Sequence, residues 1–233
     1  MAEVGALILA SGSARRRDLL RAAGVPFAQV TADVDESLCR AEQPQQAVQR
    51  LAAEKATAIS ASHPEAVVIG ADTLVALGDQ ILGKPDSLEH ATEMLQLLSG
   101  KTHAVYTGVH IACANRNRAT TWYAFTEVTF NTLTDTTIEN YFAVCDPLDK
   151  AGSYGIQTGG DLLVSRTNGL LSTVIGFPIE QILPRLRSFY NDCGFVHVDR
   201  LSWWYELPHK EVQPGQIEIT TYDQAIAALG DAQ

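Results

Sequence analysis

Leu7-Ile8-Leu9-Ala10-Ser11-Gly12-Ser13-Ala14-Arg15-Arg16-Arg17-Asp18-Leu19-Leu20 is the stretch from which the fold of this chain is read. Its four apolar residues have the length and bounds of a buried strand, and the run breaks at Ser11-Gly12-Ser13. Ser13 is a good N-cap for a helix carrying Leu19, Leu20 and Ala23, which ends at Gly24 with Pro26 just beyond. A strand, a small-residue loop and a helix start in that order point to an α/β protein.

Three cations stand where a helix least favours them. Arg15, Arg16 and Arg17 adjoin free N–H groups and the positive end of the helix dipole, at a cost of roughly 0.3–1 kcal/mol each. Backbone N–H groups, the Ser11 and Ser13 hydroxyls and guanidinium forks on one loop make a polyphosphate cradle. Arg15 and Arg16 are assigned to the anion. Arg17 is expected to face water and pair with Asp18 or the following loop.

The totals bound what such a cradle can serve. At 233 residues and 25.2 kDa the chain suits one domain, or one domain with an appendage. A net charge of -10 argues against a nucleic-acid or anionic-membrane partner, so the anion site must be a local basic pocket within an acidic shell. Cys39, Cys113, Cys145 and Cys193 are scattered, without metal-ligand spacing, and read as reduced thiols in a cytoplasmic protein. Glu3 stands where a secretory signal would be basic, and the first apolar run is too short to span a membrane.

Further along, Phe27 to Val34 alternates as a strand and delivers Asp33, Asp35 and Glu36 at its end. Gln45 to Ser60 is the strongest helix, with Val48, Leu51, Ala52, Ala56 and Ile59 on one stripe and Lys55 pointing from its middle. By spacing alone Lys55 either snorkels at the core's edge or reaches into a polar cavity. Ala66 to Ile69 is β-rich, is interrupted by Gly70-Ala71-Asp72-Thr73 and resumes at Leu74-Val75. A carboxylate within an apolar run must be paired, hydrogen-bonded or metal-bound, which makes Asp72 the strongest catalytic candidate.

Ile81-Leu82-Gly83-Lys84-Pro85 is a turn with one cation, and Asp86 and Glu89 have capping-box spacing for a helix through Leu88, Ala91, Met94, Leu95 and Leu98. His103 to Ala112 and Thr121 to Phe130 form a hairpin around Asn115-Arg116-Asn117-Arg118, with His103 and His110 as ordinary strand side chains. Thr134 caps a short helix through Ile138, Tyr141 and Phe142. Ile179 to Tyr190 forms the last helix of the main body.

In one order along the chain stand A-S-G-S-A-R-R from Ala10, G-A-D-T-L-V from Gly70, I-L-G-K-P from Ile81, L-S-G-K-T-H-A-V-Y-T-G-V from Leu98 and D-K-A-G-S-Y-G-I-Q from Asp149. This ordered set, spanning about Leu7 to Tyr190, resembles the Maf family of nucleoside triphosphate pyrophosphatases. The form ending Y-G-I-Q is similar to the branch acting on dTTP and UTP rather than on 7-methyl-GTP. The resemblance implies an extended, twisted, mixed sheet flanked by helices, like that of inosine triphosphate pyrophosphatases, with two lobes and a central cleft. It places Glu36 and Asp72 as catalytic and metal-binding carboxylates and Lys55 and Lys84 as phosphate contacts. Asp149 and Lys150 border the substrate, and Gln157 and Thr73 are the specificity candidates, a Gln amide having the donor and acceptor that read a pyrimidine edge. The sequence departs from the family at Thr158-Gly159-Gly160-Asp161 and at Gly176-Phe177-Pro178.

The implied reaction takes a nucleoside triphosphate to the monophosphate and pyrophosphate with a divalent cation, Mg²⁺ or alternatively Mn²⁺, in a house-cleaning role. Two rivals remain at this stage: the same fold acting on modified purine nucleotides, and a nucleotide-binding regulator of cell division that does not turn its ligand over. Residues 1–192 form the nucleotide domain in this reading. Residues 193–233, with Trp203-Trp204-Tyr205, a strand-like Ile217-Glu218-Ile219 and a helix candidate from Asp223, are an extension that could pack on the core, make a homodimer contact or begin another fold.

Overall fold

The computed structural model describes residues 5–195; Glu3, Trp203-Trp204-Tyr205, Ile217–Ile219 and the segment from Asp223 lie outside the described residues. The opening stretch forms strand β1 (Leu7–Ala10), fully buried, and helix α1 (Ala14–Ala22), whose first turn is closed by Ser13 Oγ accepting from Arg16 N. Strand β2 is only Ala28–Gln29, so the expected strand to Val34 is cut short, and the chain runs without regular structure to helix α2 (Pro44–Ser62). There Pro44 supplies a first helical residue with no N–H to satisfy, and Gln43 and Gln46 exchange capping bonds.

Strand β3 (Val67–Leu77) runs without a break through Gly70-Ala71-Asp72-Thr73, contrary to the expected interruption. The reason is packing. A Cβ at Gly70 would stand 2.3 Å from Ala52 O, and one at Gly108 would stand 2.1 Å from Val48 O. Two bare backbones on neighbouring strands thus let α2 press onto the sheet one turn apart, and glycine here marks close approach, not a turn.

After β4 (Gln80–Leu82) comes α3 (Leu88–Leu98), capped by Ser87, whose Oγ accepts from His90 N. Asp86, the expected cap, pairs instead with His90 at 2.9 Å, and Leu88 is exposed while Ala91, Met94, Leu95 and Leu98 are buried. The hairpin is as expected: β5 (Thr102–Cys113) and β6 (Arg118–Phe130) join through a tight turn at Ala114–Arg116. Helix α4 (Asp135–Val144) is capped by Thr134, and a loop leads to α5 (Gly160–Leu163), β7 (Val164–Asn168), α6 (Leu171–Ile175) and α7 (Ile179–Asp192).

Among the described residues seven strands form one mixed sheet in the order β2-β1-β3-β5-β6-β7, with β4 added beside β3. Of their pairings only β1–β2 and β1–β3 are parallel. On the face away from α2, one apolar core gathers Leu9, Leu20, Ile69, Ile111, Phe177 and Leu186, and a second gathers Val75, Leu95, Val105, Tyr141 and Leu163. Between them β3 and β5 present Thr73 and Thr107, paired in register with hydroxyls 3.0 Å apart. The polar belt marks the junction of these two cores. The first core continues past residue 192 to Phe195, which is buried with Cys193.

Candidate active site

The position of the site follows from strand lengths. The last β1 pair is Ala10 with Gly70, and the first β4 pair is Leu82 with Val75, so among the described residues Ala71 to Leu74 have no strand neighbour on that side. Successive strand residues point to opposite faces, so this gap exposes Asp72 on the α2 face and Thr73 on the other to one opening. The opening is a cleft of about 700 Å³, lined from both faces.

On the α2 face, Lys55 Nζ lies 2.6 Å from Asp72 Oδ1 and 2.7 Å from Glu36 Oε1, with Lys55 and Asp72 each 7% exposed. The open question about Lys55 is thereby settled in favour of the polar cavity. Glu36 arrives on the irregular segment after β2, which α2 holds in place: Arg50 Nη2 donates to Ser37 O at 3.0 Å and to Glu42 at 2.8 Å. Arg50 is a positioning residue that the sequence reading missed, because an arginine on a helix face looks like a solvated one until its acceptor loop is seen. Asp35 bonds Ser37 N and Oγ and turns away from the cleft. Burial raises the Glu36 pKa, but the Lys55 hydrogen bond, with the charges of Lys55, Lys84 and Arg16, outweighs it and holds the carboxyl below its ordinary value.

On the other face Arg16 is engaged by protein acceptors. Its Nε donates to Gly176 O at 2.9 Å, Nη1 to Ala71 O at 2.8 Å and Ser11 Oγ at 3.2 Å, and Nη2 to Thr73 Oγ1 at 3.1 Å. Ala71 O lies just beyond the last β1 pair, so this guanidinium stands in for the missing strand neighbour. Burial lowers the Arg16 pKa, and the charge of Asp72 pulls the other way. Gly176 is a third position where only glycine serves. Its φ is +103°, and a Cβ would stand 2.9 Å from Thr73 Oγ1. Thr107 completes the brace by donating to Thr173 O at 2.8 Å. Neither Gly176 nor Thr107 was singled out for this role, and only the departure noted at Gly176-Phe177 pointed near it.

The remaining residues sort by how free they are. Arg15 reaches Asp149 at 3.5 Å, and Lys84 reaches Glu36 at 3.7 Å, both as long, exposed pairs at the cleft mouth that a phosphate can replace. Arg17 pairs with Asp18 at 2.9 Å, as expected. Lys150 is tied to Asp146 O and Asp149, with its stem against Gly155, so it braces the rim. Ser11 Oγ accepts two internal bonds and Ser13 Oγ one, which leaves their hydroxyl protons to donate. Gln157 lines the cleft half-buried, and among the described residues its amide has no hydrogen-bond partner, whereas Thr73 is already engaged by Arg16 and Thr107.

Five cations (Arg15, Arg16, Lys55, Lys84, Lys150) and three carboxylates (Glu36, Asp72, Asp149) therefore line one cleft of a protein whose net charge is -10. Among the described residues no helix is long and apolar enough to cross a membrane, and no three or more His, Cys, Asp or Glu side chains are grouped to hold a metal by themselves.

Comparison with known proteins agrees with the order of motifs. The family described as Maf-like protein matches residues 6–189. A dTTP/UTP pyrophosphatase of Bacillus cytotoxicus is 47% identical over 190 residues, which cover 82% of this chain and 97% of that one. Proteins of the same description from Bacillus cereus and Bacillus anthracis are 47% and 46% identical over 186 residues, covering 80% of this chain and 91% and 96% of theirs. With that match over most of its length and the motif residues gathered at one cleft, the chain belongs to the Maf-like family.

Proposed function

We propose that this protein hydrolyses dTTP and UTP to the monophosphate and pyrophosphate. The observation that carries the reading is the buried Lys55 bridging Glu36 and Asp72 beneath a mouth rimmed by Arg15 and Lys84. A pocket evolved only to hold an anion would bind it better without two carboxylates. A pocket that activates water beside an anion needs both signs. Relatives that match most of this chain bear the corresponding name, dTTP/UTP pyrophosphatase, which supports the substrate class.

In this reading Asp72 takes a proton from water as the water oxygen attacks the α-phosphorus. The bond from that phosphorus to the oxygen bridging to the β-phosphate breaks, and pyrophosphate leaves. Asp72 Oδ1 is held by Lys55, and its second oxygen has no bond among the described residues, so one oxygen is fixed and the other is available to the water. Lys55 hydrogen-bonds Asp72 and, with its charge, holds the Glu36 carboxyl below its ordinary pKa. Lys84, Arg15 and the N–H groups at the start of α1 neutralise the triphosphate, without which an anionic nucleophile is repelled.

A divalent cation fits these residues. Glu36 and Asp72 converge on one ammonium, and the mode by which Mg²⁺ binds nucleotides uses one or two carboxylates with phosphate and water oxygens, so a cluster of three protein ligands is not required. When bound, Mg²⁺ would supply charge neutralisation on the phosphate oxygens.

Pyrophosphate release from dTTP, UTP, dCTP, purine triphosphates and 7-methyl-GTP, with Mg²⁺ and with chelator, tests the proposal. The expected result is Mg²⁺-dependent turnover that is fastest on dTTP and UTP. Preference for the purine or methylated nucleotides would move the protein to another branch, and binding without release would make it a regulator.

A further inference from the structure

Strand β6 is paired along its whole length with β5, but with β7 only from Glu127 to Phe130. Thr126 is covered, since its Oγ1 donates to Leu170 O at 2.8 Å. Among the described residues no strand lies beside Arg118–Phe125 on the side away from β5. After Arg118 this edge reads Ala-Thr-Thr-Trp-Tyr-Ala-Phe, β-prone, free of charge and Pro, and paired to β5 without a register shift. Such an edge lacks the usual defences against another strand.

Both faces beside the edge are also incomplete. On one, Tyr123 and Phe125 are 42% and 54% exposed, and their rings lie 6.2 and 5.9 Å from that of Tyr106. On the other, a groove of about 450 Å³ runs between β6 and α7, carrying Arg118 and Arg185 against the single acid Asp192. Arg185 stacks 5.0 Å from the Trp122 ring, whose buried Nε1 has no partner among the described residues.

We propose that the chain's own C-terminal segment Leu201–Leu207, Leu-Ser-Trp-Trp-Tyr-Glu-Leu, covers this edge as an added strand. The exit point and reach support it. Phe195 packs near Gly5 and lies 5.0 Å from the Arg116 guanidinium, at the turn where β6 begins. The eight residues from Phe195 to Trp203 reach at most about 29 Å, and Arg118 to Phe125 spans roughly 23 Å. The aromatic triplet therefore reaches Tyr123 and Phe125 without a fully stretched chain. Charge supports it as well: residues 196–233 carry six acidic and two basic side chains, opposite in sign to the groove. The family match ends at residue 189, so this segment lies outside what the relatives share. Strand addition joins main-chain bonds along the edge to side-chain pockets on either face, and this surface offers both.

The test uses the full chain with the photo-cross-linker p-benzoylphenylalanine at Phe125, an exposed position whose replacement leaves the core intact. Isotopically light and heavy protein are mixed, irradiated and mapped by mass spectrometry. The expected product joins position 125 to a peptide containing Trp203–Tyr205 within one copy. Joining of light to heavy chains would assign the edge to a second copy, and cross-links to neither would leave it bare; either overturns the proposal. Amide hydrogen exchange gives an independent reading. In a full-length W203S/W204S variant, the outward amides of Arg118–Phe125 should exchange at least about tenfold faster, while those of β3 and β5 stay unchanged. Equal exchange in the two proteins would also overturn it.

Discussion

Two cations lie on opposite faces of β3, and their neighbours differ in kind. Lys55, under α2, meets two carboxylates at 2.6 and 2.7 Å. Arg16, under α6, meets two carbonyls and two hydroxyls at 2.8 to 3.2 Å. The loop position of Arg16 and the family resemblance at Lys55 suggested the same task for both, namely binding phosphate. Their partners separate the tasks. A cation matched by carboxylates belongs to a charge balance that a phosphate, a metal or a proton can alter. One saturated by neutral acceptors can leave only by stranding those acceptors without partners, so it is part of the frame.

Substitutions on the two faces should therefore fail in different ways. The largest expected effect is on the Lys55 side. Asp72→Asn should lower turnover by about 10²–10⁴-fold, the range of positioned acid–base catalysis, with triphosphate binding retained in isothermal titration. Near-normal turnover in a folded Asp72→Asn protein would remove it from the mechanism. Lys55→Gln should cost about 10²-fold in kcat/KM, and its pH profile carries the sharper signature. Lys55 is the largest contributor among the groups that hold the Glu36 pKa down. Without it that pKa rises, so the acid limb of the profile should move to higher pH; an unmoved limb would separate Glu36 from catalysis.

Across the strand, Arg16→Lys should mainly cost stability. A lysine ammonium cannot span Gly176 O, Ala71 O, Ser11 Oγ and Thr73 Oγ1 at once. The loss should be about 2–4 kcal/mol, or roughly 5–15 °C in Tm for a chain of this size. If Tm holds while every KM rises, Arg16 is a phosphate ligand after all and the contrast with Lys55 collapses.

The smaller effects concern the two free groups. Gln157→Ala should narrow the kcat/KM preference for dTTP over dCTP by about 1–3 kcal/mol, because Gln157 alone of the two specificity candidates has an unengaged polar side chain. A uniform fall on all substrates would make it a structural member of its loop. Arg15→Ala should weaken all accepted triphosphates by a similar factor, on the order of tenfold or less, with Tm unchanged, since its exposed pair with Asp149 adds little to the fold. A loss confined to one base would assign Arg15 to recognition instead.

Much of this was legible in the sequence where local chemistry suffices. Ser13 and Thr134 cap the helices expected of them, Arg17 pairs with Asp18, and the stripe on α2 is buried as its spacing predicts. Local chemistry also misled. Gly70 looked like a break in β3 but is the gap into which Ala52 O fits, and Phe27 to Val34 alternated like a strand although the chain leaves β1 after Gln29. In both places the deciding atoms belong to an element distant in sequence.

What the sequence determined by itself is the class of fold, the family, and the list of chemically competent residues, because caps, periodicity and ordered motifs are local properties of the chain. What only the tertiary structure decided is which of those residues are free to act. Arg16 is consumed in replacing a strand neighbour, Thr73 is held by Arg16 and Thr107, and Lys150 is held by its own loop, whereas Gln157, Arg15 and Lys84 keep polar groups available to the cleft. The physical reason is that a side chain's hydrogen-bonding capacity is a property of its residue type, but how much of it remains unspent depends on acceptors that folding brings from up to 160 residues away, as Gly176 O is brought to Arg16.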